Sequence, residues 1–156
     1  MIKHILILFF VAVTILPVNI FSQNDWKVDW NKTLTILDSM FYREQRQFRT
    51  MQSYQNEASE DLILKDIDTL NVFAVDVNSH IELANAYKFP SDADALNASE
   101  TFNLKIGAIK EYFDQCRLQI HVNNNILQKR LKNELLDFKV KQIDELKLGN
   151  YVPILK

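Results

Sequence analysis

His80 and Asp76 are the residues whose types and spacing come nearest to a chemical pair. Four residues apart on a helix, a carboxylate and an imidazole share one face. Such a pair can hold a proton or supply half of a metal site, although it is more often a partly buried histidine satisfied by its aspartate. Both residues are therefore candidate cofactor-binding positions. His121 is the other histidine beyond the N-terminal segment. If the helices that carry them are antiparallel, the two imidazoles sit roughly 20 Å or more apart by helical rise, too far to share a metal. Cys116 is the single cysteine. It falls in an apolar stripe, where a cysteine packs as a small hydrophobe. In an exported chain an odd cysteine is also a candidate for an intermolecular disulfide.

Other chemistry lacks its residues. The chain has no phosphate-binding glycine loop, no dinucleotide fingerprint, no H-E-x-x-H and no G-x-S-x-G. The C-x-x-C-H needed for covalent haem attachment is absent. The Glu-x-x-His of di-iron helical proteins is missing too, because Val77 and Leu118 stand three residues before the histidines. No nucleophile and base can be paired, so no catalytic residue is expected. Trp26, Trp30, Met40 and Met51 could line a cofactor pocket, but aromatic and Met residues at helical spacing usually fill a core. Asn31 and Asn97 each open an N-x-[ST] triplet, an acceptor only in a eukaryotic secretory route.

The elements that would position these residues follow from composition. Of 156 residues only two are glycine, Gly107 and Gly149, and three are proline. Tight hairpin turns consume glycine at positive φ, so a chain this poor in it favours long helices joined by few loops. Apolar residues recur at helical spacing in four stripes. Trp30, Leu34, Leu37, Phe41, Phe48 and Met51 make the first, and Ile63, Leu70, Phe73, Val77, Ala84 and Tyr87 the second. Phe102, Ile106, Ile109, Phe113, Cys116 and Ile120 make the third; Leu127, Leu131, Leu135, Phe138 and Leu146 the fourth.

Boundaries are predicted at Ser59 and Ser91, each a helix N-cap followed by acids. Pro90 ends the second helix, the run Asn123-Asn124-Asn125 suits a break, and Gly149 suits a C-terminal stop. Helices are thus expected near 29–54, 59–88, 95–122 and 126–148, with an extended tail from about 150. Matched lengths point to an all-α fold, an antiparallel up-down four-helix bundle. The alternative fuses the last two helices into one rod.

Ahead of the domain, Lys3 and His4 precede an apolar run from Ile5 to Val13, and Ser22 offers a small residue before Gln23. That order is a secretory signal peptide, residues 1–22, cleaved to leave a single domain over 23–156. The apolar run is short for a membrane span, so no stable anchor is expected after cleavage. Net charge is −2, with 20 acidic and 18 basic residues, which disfavours nucleic acid as a partner. Basic residues gather in the first and fourth helices and acids in the second and third, which predicts one basic and one acidic side if the first and fourth are neighbours.

The function expected is that of an exported, secreted or periplasmic, non-enzymatic binding protein. Its partner is another protein or its own copy, met through helix surfaces or bundle ends, with no cofactor required. Alternatives are a bundle carrying haem, metal or a lipid-like ligand in its core, and a soluble secreted signalling factor.

Overall fold

The computed structural model describes residues 18–155, with side chains from Trp26 onward. The apolar run of the expected leader lies outside the described residues. The regular secondary structure among them is helical, with no strand: α1 Val18–Ser53, α2 Glu60–Asn85, α3 Asp92–Gln128 and α4 Glu134–Gln142. Single 3-10 turns, Gln55–Glu57 and Ile143–Glu145, follow α1 and α4. Among the described residues no helix is long and apolar enough to cross a membrane.

Local chemistry sets several of the ends. The Ser59 Oγ accepts from the Leu62 N–H at 3.3 Å and starts α2, with Glu60 and Asp61 in the first turn. Ser91 does the same for α3, accepting from the Asp94 N–H at 3.2 Å and donating to the Asp94 carboxylate at 2.7 Å. Each cap supplies an acceptor to an otherwise orphaned N–H, and the acids oppose the positive end of the helix dipole. α2 stops at Asn85, somewhat before the expected limit near Lys88.

Side-chain pairings give the directions. Arg43 on α1 meets Asp76 on α2, and Tyr54 meets Asp66, so these helices run antiparallel. Gln45 meets Tyr112, and Asn123 reaches the Met51 carbonyl, so α1 and α3 run parallel. They make the most extensive helix pair. Phe73 stacks on Phe113 between α2 and α3. The shared core contains Leu37 and Met51 from α1, Ile63, Leu70, Phe73 and Val77 from α2, and Phe102, Ile109, Phe113, Cys116 and Ile120 from α3.

Several expectations are corrected. The asparagine run does not break a helix: α3 passes through it to Gln128, because Asn123 and Asn124 are buried and partnered. Asn123 donates to the Met51 carbonyl at 3.2 Å and Asn124 to Asp137 at 3.0 Å, which removes the competition such side chains usually offer the helix. The break falls later, at 129–133, where the Asn133 Oδ1 caps the Leu136 N–H. α4 is accordingly nine residues long, neither matched to the others nor fused to α3.

That new start resets the helical phase. Leu131, Leu135 and Phe138, expected in the fourth stripe, are exposed, and Leu136, Val140 and Ile143 are buried in their place. Gly149 is not a helix stop either, since the last helical turn ends at Glu145 and no described glycine has positive φ. Finally, α4 packs on α3 and α2 rather than beside α1. The basic residues of α1 and α4 therefore do not merge into one side.

Candidate functional site

The sequence candidates come first. His80 Nδ1 lies 2.9 Å from the Asp76 carbonyl oxygen and 3.6 Å from its Oδ1. The Asp76 carboxylate also takes an ion pair from Arg43 Nη2 at 2.8 Å. The Arg43 guanidinium in turn lies 4.9 Å from the Phe73 ring centroid. Asp76 is thus shared between an arginine and a half-buried histidine at the α1–α2 seam. His121 pairs separately with Asp144 at 2.9 Å. Because α2 and α3 are antiparallel through Phe73 and Phe113, the two histidines lie on opposite sides of that stacked pair. Among the described residues no group of three or more His, Cys, Asp and Glu side chains could hold a metal ion. Cys116 is fully buried and free, its thiol directed at the Glu44 carbonyl at 3.7 Å. Trp30, Met40 and Met51 are core residues, with Trp26 packed against them.

Two further groupings emerge. The first is a buried polar layer where α1, α2 and α3 meet. Glu44 is 1 % exposed and its Oε1 has no hydrogen-bond partner among the described residues. Burial pushes its carboxyl up to about 7, against weaker downward effects from Cys116 and Arg43. An unpaired carboxylate is costly away from water, so the neutral acid is favoured there. Asp66 is also buried; it accepts from Tyr54 and, at 2.9 Å, from Gln47 Nε2. Desolvation still raises the Asp66 carboxyl, outweighing both donors. Burial, with the neighbouring Glu44 second, pushes the Cys116 thiol up. Gln119 completes the layer by bridging Gln55 and Asn123. These are buried groups, held neutral or paired where the three helices meet.

The second grouping is a strap. After the turn at 143–145 the chain is extended and runs along α2. Asn78 and Asn85 hold it through four hydrogen bonds to its backbone. Tyr151, 5 % exposed, enters an aromatic cluster with Trp30 and Phe102, which also gathers Tyr87 and Phe89. Its hydroxyl and the Trp30 Nε1 have no hydrogen-bond partner among the described residues.

A third feature is open. A groove of about 540 Å³ runs along α2, floored by Leu64 and Phe73 and rimmed by Arg43, Asp61, Lys65 and Asp68. Val72 also lines it, and from there the outer face of α2 exposes Val72, Val75 and Leu83, each about two-thirds accessible. Sequence reasoning passed over this face because the stripe that packs inward is the stronger signal. Alternation along α2 does place Val72, Val75 and Leu83 together at helical spacing.

No protein-family model matches this chain, and neither a curated protein nor a solved structure does.

Proposed function

We propose that the protein is an exported, non-enzymatic binding module that acts through the outer face of α2, with a second copy of itself as the partner that face fits. The helices serve as an up-down bundle that presents this face. The observation that carries the reading is the exposed row Val72, Val75 and Leu83 beside the groove floored by Leu64 and Phe73. An exposed apolar pair beside a groove with an apolar floor, with Leu83 about two turns further along the same helix face, is the kind of surface that interaction sites use.

Self-complementarity supports the choice of partner. An antiparallel pairing of two α2 helices, centred between Val72 and Val75, sets each Val72 on the other copy's Val75. In the same register Leu83 of one copy falls on Leu64 of the other, and Glu82 faces Lys65. All six residues lie within one outward arc of the helix, as the 3.6-residue period requires. A twofold interface is built from one patch meeting itself, so these crosswise pairings are what it needs. Export is supported by the order of Lys3, the run Ile5–Val13 and Ser22. Cleavage after Ser22 would leave both tryptophans of α1 in place.

Sedimentation velocity over a range of concentrations tests the reading. The chain from Gln23 should show a monomer–dimer equilibrium, and Val72→Asp with Val75→Asp should leave a folded monomer. A chain that stays monomeric at about millimolar concentration, where even weak pairs of a few kcal/mol associate, would overturn it. Mass spectrometry of the exported protein should find Gln23 at its start.

A further inference from the structure

We infer that the flank of α2 beneath the strap is a reader of polypeptide backbone, and that residues 147–152 occupy it as a tethered stand-in for an extended peptide carrying an aromatic side chain. This flank is distinct from the outer face of α2, and the inference does not depend on self-association.

The geometry has a repeat. Asn78 Nδ2 donates to the Lys147 carbonyl at 3.0 Å, and its Oδ1 accepts from the Gly149 N–H at 2.7 Å. Asn85 Nδ2 donates to the Asn150 carbonyl at 3.1 Å, and its Oδ1 accepts from the Val152 N–H at 2.8 Å. Each amide therefore takes the carbonyl of one residue and the N–H of the residue two further on, and the second unit repeats the first three residues later. Seven helical residues advance about 10.5 Å. Three extended residues advance about 10 Å. The two periods agree, so asparagines spaced by seven on a helix are commensurate with every third residue of an extended chain. Asn71 lies one more period back. It lines a cavity of about 340 Å³ with Lys139 and Gln142, where the ladder meets α4.

All four bonds go to the backbone, so any residue with an N–H and a carbonyl can make them. Selectivity then rests on the side chain between the bonded positions 150 and 152. Tyr151 is that residue, its ring centroid 4.4 Å from Phe102 and 5.9 Å from Trp30. Lys110 on α3 adds a contact to the Asn150 Oδ1 at 2.7 Å. The ligand class follows: an extended segment with an aromatic residue at the position of Tyr151 and no proline at those of Gly149 or Val152. Proline fits at the next position, as Pro153 does here. Since the Tyr151 hydroxyl has no partner, phenylalanine should serve as well. The strap competes from within, at an effective concentration of about a millimolar or more for so short a tether.

The test uses the full chain and a fluorescent peptide of residues 146–155. In the chain with Tyr151→Ala the strap loses its aromatic anchor. That variant should bind the peptide at least about tenfold more tightly than the unaltered chain does, as expected from lost competition by a tethered segment. A peptide with phenylalanine in place of the tyrosine should bind, and one with alanine should not. Adding Asn78→Ala and Asn85→Ala should weaken binding again by about tenfold or more, since each removes two backbone partners. Failure of the helical Tyr151→Ala chain to take up the peptide, or indifference to the asparagines, would overturn the inference. Should Tyr151→Ala not fold, hydrogen exchange on the unaltered chain decides: the Gly149 and Val152 amides should open well before the core of α3. If they open only with global unfolding, the strap is part of the core and the inference fails.

Discussion

Glu44→Gln keeps the shape of a side chain that is 1 % exposed while removing its ionisation. The folded protein holds this carboxyl near 7, above an ordinary value of 4.5, chiefly because it is desolvated. The groups that face it are Arg43 on its own helix, Cys116 on α3 and, beyond the thiol, Asp66 on α2. None compensates the burial. Between about pH 4.5 and 7 the unfolded chain has released the proton and the folded chain keeps it, so stability falls as pH rises through that window. At about 1.4 kcal/mol per pH unit, the loss is complete above pH 7 and amounts to about 3 kcal/mol. Glutamine pays no such penalty. The variant should match the unaltered protein near pH 4.5 and exceed it by about 3 kcal/mol at pH 8. Urea unfolding followed by the fluorescence of Trp26 and Trp30, from pH 4.5 to 8.5, measures the difference directly. Asp66 titrates in both proteins and cancels. A difference that stays flat with pH, or a variant less stable at pH 8, would refute the assignment of Glu44 as a buried acid without a partner.

Other perturbations separate core from surface. Leu136→Ala should cost about 2–5 kcal/mol because Leu136 is 1 % exposed, whereas Leu135→Ala and Phe138→Ala should stay within about half a kcal/mol; the reverse order in thermal unfolding would place the phase of α4 where the sequence stripe had it. Cys116 should resist a thiol reagent in the folded protein and react once urea unfolds it, since burial pushes the thiol up and denies access; quick reaction under native conditions would contradict the closed interior.

How much was legible depends on whether the deciding partner was near in sequence. Ser59 and Ser91 could be recognised because a cap and the N–H that donates to it lie three residues apart. The inward stripes of α1, α2 and α3 could be read because each helix keeps one phase over many turns. The stripe proposed for α4 was not, because its phase depends on where α3 stops, and that is set by Asn133 and by partners distant in the chain. Asn123 and Asn124 look like helix breakers until the Met51 carbonyl and Asp137 are in place beside them. Asp76 and His80 do meet, as their spacing implies, but Arg43 arrives from another helix to share the carboxylate. Glu44 reads as an ordinary polar position in α1. Only the packed structure places it beside Cys116, out of reach of water. The seven-residue row Asn71, Asn78 and Asn85 stands in the sequence, yet its meaning needs the extended segment that lies across it.

The outer face of α2 is proposed as a contact surface that fits its own copy. Charge exchange across the proposed register tests it most directly, by sedimentation of Lys65→Glu, Glu82→Lys and the double variant. Each single change sets like charges together at two symmetry-related points and should weaken the dimer, while the double change should restore it. Single variants that associate as well as the unaltered chain, or a double variant no better than either, would contradict the account.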